Sequence, residues 1–208
     1  MTDIRNRPAV SDTEALSPGA PAISTMHGVD EQHIADLGRR IGSIMRRGDL
    51  LVLNGPLGAG KTTLTRSLGE GLGVRGPVTS PTFVLARTHP SQVGGAPLVH
   101  VDAYRLTSGI ELDDLDLDLE GSATVIEWGR DWVALLADSW VSIDLIPEEN
   151  APNHTPAASA DAGEAASPEA SADAADLFDA PQTRTVIITA HGPRRARDLA
   201  ARLESKVV

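Results

Sequence analysis

The sequence predicts an α/β sandwich with a mostly parallel central sheet flanked by helices, on three observations. Short, mostly apolar runs recur at Leu50-Leu51-Val52-Leu53, Leu98-Val99-His100-Val101 and Ala123-Thr124-Val125-Ile126. The first is wholly apolar, the signature of a strand covered on both faces. Stretches with helical spacing alternate with these runs, a pattern that packs helices against a parallel sheet.

In chain order, residues 1–22 are rich in Pro, Ala, Ser and charge without any period, and read as a disordered tail. From Asp30 the pattern changes. Ile34, Leu37, Ile41, Ile44 and Met45 fall on one helical face, with Asp30 as N-cap and Gly48 as the expected stop. Gly38 and Gly42 lie on this helix and predict close packing against a neighbouring element. The strand 50–53 runs into a glycine-rich segment, and Thr62 to Leu72 reads as the helix after it. The runs at 98–101 and 123–126 end at Asp102 and Glu127. Val141–Ile146 and Thr185–Thr189 supply two further strands.

Between those last strands lie 37 residues, 147–183, of Ala, Ser, Pro, Asp and Glu. So long a structureless connection is normally functional or disordered, and its composition offers little apolar surface to offset the entropy of ordering it. It reads as a disordered acidic insertion. Residues 23–146 with 184–198 form the expected domain, and 199–208 a C-terminal tail. The run from Glu111 to Glu120 alternates Leu and Asp and reads as a solvated acidic helix face.

The net charge of −11 is concentrated in the insertion, which holds eight acids and no Lys or Arg, leaving only −3 elsewhere. A strongly basic nucleic-acid face is therefore not evident. There is no cysteine, which excludes disulfides and thiolate metal sites. No apolar run approaches the ~20 residues of a membrane helix, and no signal-peptide pattern is visible. The expected setting is a cytoplasm, without membrane partners.

The glycine-rich segment Gly55-Pro56-Leu57-Gly58-Ala59-Gly60-Lys61-Thr62 matches G-x-x-x-x-G-K-[ST] at every fixed position. Its glycines let successive backbone N–H groups turn inward around phosphate oxygens, and the following helix adds the positive end of its dipole. Lys61 is expected on the β- and γ-phosphates and the Thr62 hydroxyl on Mg²⁺. A buried strand before and a helix after supply the required context, so the fold class narrows to a P-loop NTPase-like sandwich. A magnesium nucleotide site also needs an acid at the carboxyl end of a neighbouring strand. Asp102 and Glu127 both stand there. One would hold the metal and the other orient the attacking water, and spacing does not assign the roles. The chain has no N-K-x-D guanine signature, and Asp102 is followed by Ala-Tyr-Arg rather than a GTPase D-x-x-G, which favours ATP.

Taken together, Gly58-Ala59-Gly60-Lys61-Thr62-Thr63, Ser80-Pro81-Thr82-Phe83, Val101-Asp102-Ala103-Tyr104-Arg105-Leu106 and Ile126-Glu127-Trp128 closely resemble the TsaE (YjeE-type) ATPases of bacterial tRNA threonylcarbamoyladenosine synthesis. The resemblance runs from about Ile23 to Pro147 and resumes near Arg184. It implies a cytoplasmic ATPase that works with TsaD and TsaB, the pair that transfers threonylcarbamoyl to the adenosine beside the anticodon, and that meets tRNA through them. It implies Lys61 on phosphate, Thr62 and Glu127 on magnesium and Asp102 in catalysis. It further implies nucleotide contacts over Gly55, Leu57, Gly58, Ala59, Gly60, Thr63 and Thr82. Glu31, in the first turn of the first helix, matches a family position near the nucleotide. Ser80-Pro81-Thr82 resembles a switch-like loop beside the γ-phosphate, although it also reads as a Pro-set strand start. Trp128 packs near nucleotide or partner, or else is a half-buried strand-end aromatic.

The chain departs from the family at Gly129-Arg130-Asp131, where the family often has an acid before the arginine, and in the 111–120 run, which lacks a glycine common there. Nothing transfers to the tail or the insertion. Two other readings of the P-loop are a small-molecule kinase, distinguishable by a phosphorylated product, and a nucleotide-dependent binding module, distinguishable by partner capture with ATP against ADP.

Overall fold

In the computed structural model, residues 22–148, 183–192 and 195–207 are described. In chain order the elements are β1 (Ala22–Val29), α1 (Glu31–Ile44), β2 (Leu50–Asn54), α2 (Lys61–Leu72), β3 (Ala86–His89) and β4 (Leu98–Asp102). There follow a 3₁₀ turn (Ala103–Arg105), α3 (Gly109–Asp113), β5 (Ala123–Glu127), α4 (Val133–Leu136), β6 (Trp140–Pro147), β7 (Arg184–His191) and α5 (Arg195–Val207). The strands form one sheet in the order β1-β7-β6-β2-β5-β4-β3. Its centre is parallel, with β6, β2, β5 and β4 side by side, and antiparallel strands finish both edges.

Every residue of β2, β4 and β5 is buried, because layers cover both faces of the sheet. Strand alternation sorts the side chains. Leu51, Leu53, Leu98 and Val125 join the core under α1, α2 and α5. Leu50, Val52, Val99, Val101 and Ile126 join a second core with Leu112 of α3 and Val133 of α4. His100, Asp102 and Glu127 share the strand parity of Leu98 and Val125, so they lie on the face covered by α2.

The close packing expected at Gly38 and Gly42 is present. A Cβ on Gly38 would run into the Leu64 carbonyl oxygen, and one on Gly42 into that of Leu68. The glycines thus let α1 lie directly on the backbone of α2, the helix that follows the glycine-rich loop.

Several expectations are corrected. α1 stops at Ile44, before Gly48, because Asp49 Oδ2 accepts from the Arg46 N–H at 2.7 Å and closes a local turn. Gly48, at φ 83°, shapes that turn. The acidic 111–120 run is helical only to Asp113. Beyond it Leu115, Leu117 and Leu119 pack against the second core, as a repeat of two rather than 3.6 demands. Residues 199–207, read as a tail, belong to α5. Ala196, Leu199, Ala200 and Leu203 are buried at i, i+3, i+4 and i+7, and Arg202 Nη2 donates to both Asp49 oxygens at 2.9 and 3.0 Å.

The expected insertion is shorter than 147–183. Pro147 pairs with Arg184, and the Glu148 N–H donates to the Thr183 carbonyl at 2.9 Å. The disorder expected for the remainder, 149–182, and for 1–21 of the tail lies outside the described residues.

Candidate phosphate-binding site

The parallel strands β2, β4 and β5 deliver their carboxyl ends to one edge of the sheet, where open α/β sheets bind ligands. The cleft there has a volume of about 340 Å³ and is lined by the loop residues Leu57, Gly58, Gly60, Lys61, Thr62 and Thr63, by Ser80 and Thr82, and by Asp102, Tyr104, Glu127 and Trp128. Of the expected nucleotide set, Gly55 and Ala59 form the loop's inner wall and do not line the cleft. A Cβ on Gly55 would strike the Leu145 carbonyl oxygen, and Ala59 is buried in the first core. Glu31 is exposed in the first turn of α1 and is not part of the lining.

The loop enters α2 through Gly60, whose φ of 103° is readily adopted by glycine. Gly60 makes no side-chain cap for α2, so the first amides of the helix are available to an anion. The Lys61 ammonium curls over the loop and donates to the carbonyl oxygens of Gly55 (2.7 Å) and Pro56 (2.9 Å). It also lies 3.7 Å from the centre of the Trp128 ring, a cation–π contact. Burial holds this ammonium below the usual lysine range, with Glu127 and Asp102 pulling the other way.

The two acids have different neighbours. Asp102 pairs with Glu127 in the β4–β5 register, but its Oδ2 accepts from Ser80 Oγ (3.1 Å) and Thr82 Oγ1 (2.6 Å), and its Oδ1 from the Tyr104 N–H (3.1 Å). Asp102 thereby ties the Ser80–Phe83 segment to the cleft. That segment is a turn, in which Pro81 O accepts from the Val84 and Leu85 amides at 2.8 Å. Strand β3 begins only at Ala86, so the Pro-set strand start is not what Pro81 makes. Glu127 is 2% exposed and accepts from Thr62 Oγ1 at 3.1 and 3.2 Å. Its Oε1 also lies 2.8 Å from His100 Nε2 and 3.4 Å from Thr65 Oγ1.

Trp128 sits at φ 63°, a left-handed backbone that costs a bulky residue of order 1–3 kcal/mol. Its N–H is fixed by the Leu53 carbonyl at 3.0 Å, which holds the ring over Lys61 and against Tyr104, 5.2 Å between centroids. Trp128 is half-buried at the end of β5, as one reading has it, and its ring also lines the cleft. Arg130 turns away and pairs with Asp144 on β6, which also accepts from Asn54 at 3.0 Å.

The motifs assign no role to His100, Thr65 or Tyr104, although Tyr104 lies within one of them. His100 carried a signal: a polar residue inside an apolar run, two positions before an acid, must share that acid's face.

A family model described as "Threonylcarbamoyl adenosine biosynthesis protein TsaE" matches residues 29–155. Among curated relatives, the tRNA threonylcarbamoyladenosine biosynthesis protein TsaE of Streptomyces coelicolor is 63% identical over 106 residues, half of this chain and 72% of that protein. The protein of the same name from Mycobacterium tuberculosis H37Rv is 46% identical over 118 residues, 52% of this chain and 70% of that protein. The crystal structure of Bacillus subtilis YdiB superposes with a TM-score of 0.59 at 20% identity, covering 89% of this chain and 96% of that one, and this likeness concerns the P-loop fold. With that fold, these motifs in order and more than half its length matched, the chain belongs to the TsaE family.

Proposed function

We propose that this protein binds Mg-ATP in the cleft and hydrolyses it as an accessory protein of tRNA threonylcarbamoyladenosine modification, acting in the cytoplasm with TsaD and TsaB homologues. The observation that carries the reading is the Glu127 carboxylate facing the Thr62 hydroxyl at the start of α2. Two hard oxygen donors at one edge of a phosphate loop fit Mg²⁺, which favours oxygen ligands and is usually held by one or two carboxylates together with substrate phosphates. Thr62 and Glu127 would hold it, and when bound it neutralises charge developing on the phosphates.

The protein's own groups account for the remaining work. Loop amides and the N-terminus of α2 cradle the phosphate oxygens. Among the described residues, the hydrogen-bond partners of Lys61 Nζ are the neutral carbonyls of Gly55 and Pro56, so an anionic phosphate would draw it from them at little cost. Asp102, anchored to Ser80 and Thr82, is positioned to orient a water and to sense the Ser80–Phe83 turn. Leu57 is 92% exposed and Phe83 87%. Leu57 lines the cleft beside the exposed Tyr104, and Phe83 adjoins the lining residue Thr82; large exposed apolar side chains at and next to the cleft support a macromolecular partner over a free small-molecule acceptor.

Reconstitution tests the reading. The isolated chain should hydrolyse ATP slowly, and TsaD and TsaB homologues should change its rate or affinity, since a group supplied in trans can raise phosphoryl-transfer rates by ~10³–10⁵. With tRNA added, repeated rounds of threonylcarbamoyl transfer should require the wild-type chain. Equal transfer without it, or with Lys61→Ala in its place, would remove the proposed role.

A further inference from the structure

Glu127 is held from behind by a histidine to which the nucleotide motifs give no role. His100 is completely buried on β4, and its register partner on β5 is Val125, two residues before Glu127. Alternation puts His100 and Glu127 on the same face as diagonal neighbours. A carboxylate can only accept, so the proton of the 2.8 Å contact lies on His100 Nε2. The other ring nitrogen, Nδ1, is buried and has no hydrogen-bond partner among the described residues. Leaving a buried polar atom unpaired forfeits the hydrogen bonds it would make to water. An apolar side chain would fill this core position without that cost, so the single bond to Glu127 is what distinguishes histidine here.

The other donors fix Glu127 less well. Thr65 has one hydroxyl proton, and its 3.0 Å bond to the Lys61 carbonyl is shorter than its 3.4 Å contact with Glu127. Thr62 Oγ1 stands almost equally far from both carboxylate oxygens, at 3.1 and 3.2 Å, so it does not select a rotation. His100 does, because it touches Oε1.

We propose that His100 is a positioning residue for magnesium binding: by holding Oε1 it fixes the rotation of the Glu127 carboxylate and presents Oε2 beside Thr62. The inference rests on the reading of Glu127 as the magnesium-binding acid. Removing a group that orients a ligating carboxylate typically costs roughly 10–100-fold in metal affinity.

The test is the affinity of the full chain for a non-hydrolysable ATP analogue, with magnesium and with EDTA, alongside thermal melts. His100→Leu should lose about 10–100-fold of the affinity measured with magnesium and none of that measured in EDTA. His100→Gln, whose amide nitrogen reaches the place of Nε2, should recover most of the loss. His100→Asn, whose amide reaches only toward Nδ1, should not, and it carries the comparison if the leucine variant fails to fold. In the wild type, imidazole nitrogen chemical shifts should place the proton on Nε2. Equal losses with and without magnesium, no rescue by glutamine, or a proton on Nδ1 with Nε2 bare would overturn the proposal. Glu127→Gln separates the two readings. If it leaves the magnesium-dependent affinity intact, Glu127 is not the magnesium acid and both fall. If it lowers that affinity while His100→Leu does not, only the role of His100 falls.

Discussion

At the scale of single residues, three charged groups meet in a space that also buries them. Lys61 lies between its own loop carbonyls and the Trp128 ring, and this arrangement holds the ammonium in the cleft before any phosphate arrives. Lys61→Ala should lower ATP turnover by ~10²–10³-fold, the scale for removing one charge-stabilising donor, with native circular dichroism. Wild-type turnover in that variant would dismiss the phosphate assignment. Glu127→Gln and Asp102→Asn should each reduce hydrolysis by a similar factor while the fold survives. A glutamine carbonyl can still accept from His100, and an asparagine carbonyl from Thr82, so the packing is retained and the charge is lost. Magnesium-dependent turnover that is unchanged in either variant would mark that acid as a bystander.

At the scale of elements, the phosphate loop is only as well placed as α2, and α2 is placed by its contact with α1. Gly42 and Gly71 are the closest points, since a Cβ on either would overlap a backbone carbonyl of the opposite helix, that of Leu68 or Arg39. Gly42→Ala should therefore destabilise the protein by about 1–3 kcal/mol, the usual cost of overpacking, although alanine is by itself the better helix former by ~1 kcal/mol. Urea unfolding measures the balance. A variant as stable as the wild type would show that α1 and α2 slide apart freely. In that event weakened nucleotide binding, through displacement of Lys61 and Thr62, becomes the expected trace of the substitution.

At the scale of the whole molecule, the sheet arranges the site and the edges close it off. Parallel β6, β2, β5 and β4 bring the loop and both acids to one edge, while β6 runs on to Pro147 and pairs antiparallel with β7. Because Glu148 and Thr183 are already hydrogen-bonded, the pair is closed before the connection starts. Excising residues 149–181 and joining the ends by a short turn should thus change the melting temperature by no more than a few degrees and leave ATP binding intact. Loop-closure cost changes by only ~0.6 kcal/mol per doubling of length. A larger fall would mean that the segment packs on the domain.

The sequence by itself determined the fold class, the position of the glycine-rich loop and the two acids at the strand ends, because each is written locally. A buried strand is a run of apolar residues, the loop is a fixed spacing of glycines before lysine and threonine, and the acids close the runs that precede them. Local pattern was weaker where charge masked it. Residues 199–208 read as a tail because the apolar spacing of α5 is diluted by Arg197, Asp198, Arg202 and Glu204. The leucines from 115 to 119 read as part of an acidic helix face, although they recur with a period of two. Edge strands β1 and β3 carry several exposed residues, in β3 on both faces, and offer no continuous apolar run. Only the tertiary structure decided what lies across the sheet: that Glu127 faces Thr62 while Asp102 holds Ser80 and Thr82, that Trp128 covers Lys61, and that His100 backs Glu127. These partners are separated by 20 to 67 residues along the chain. Strand order and register bring them together, and both are set by how the layers bury their apolar faces.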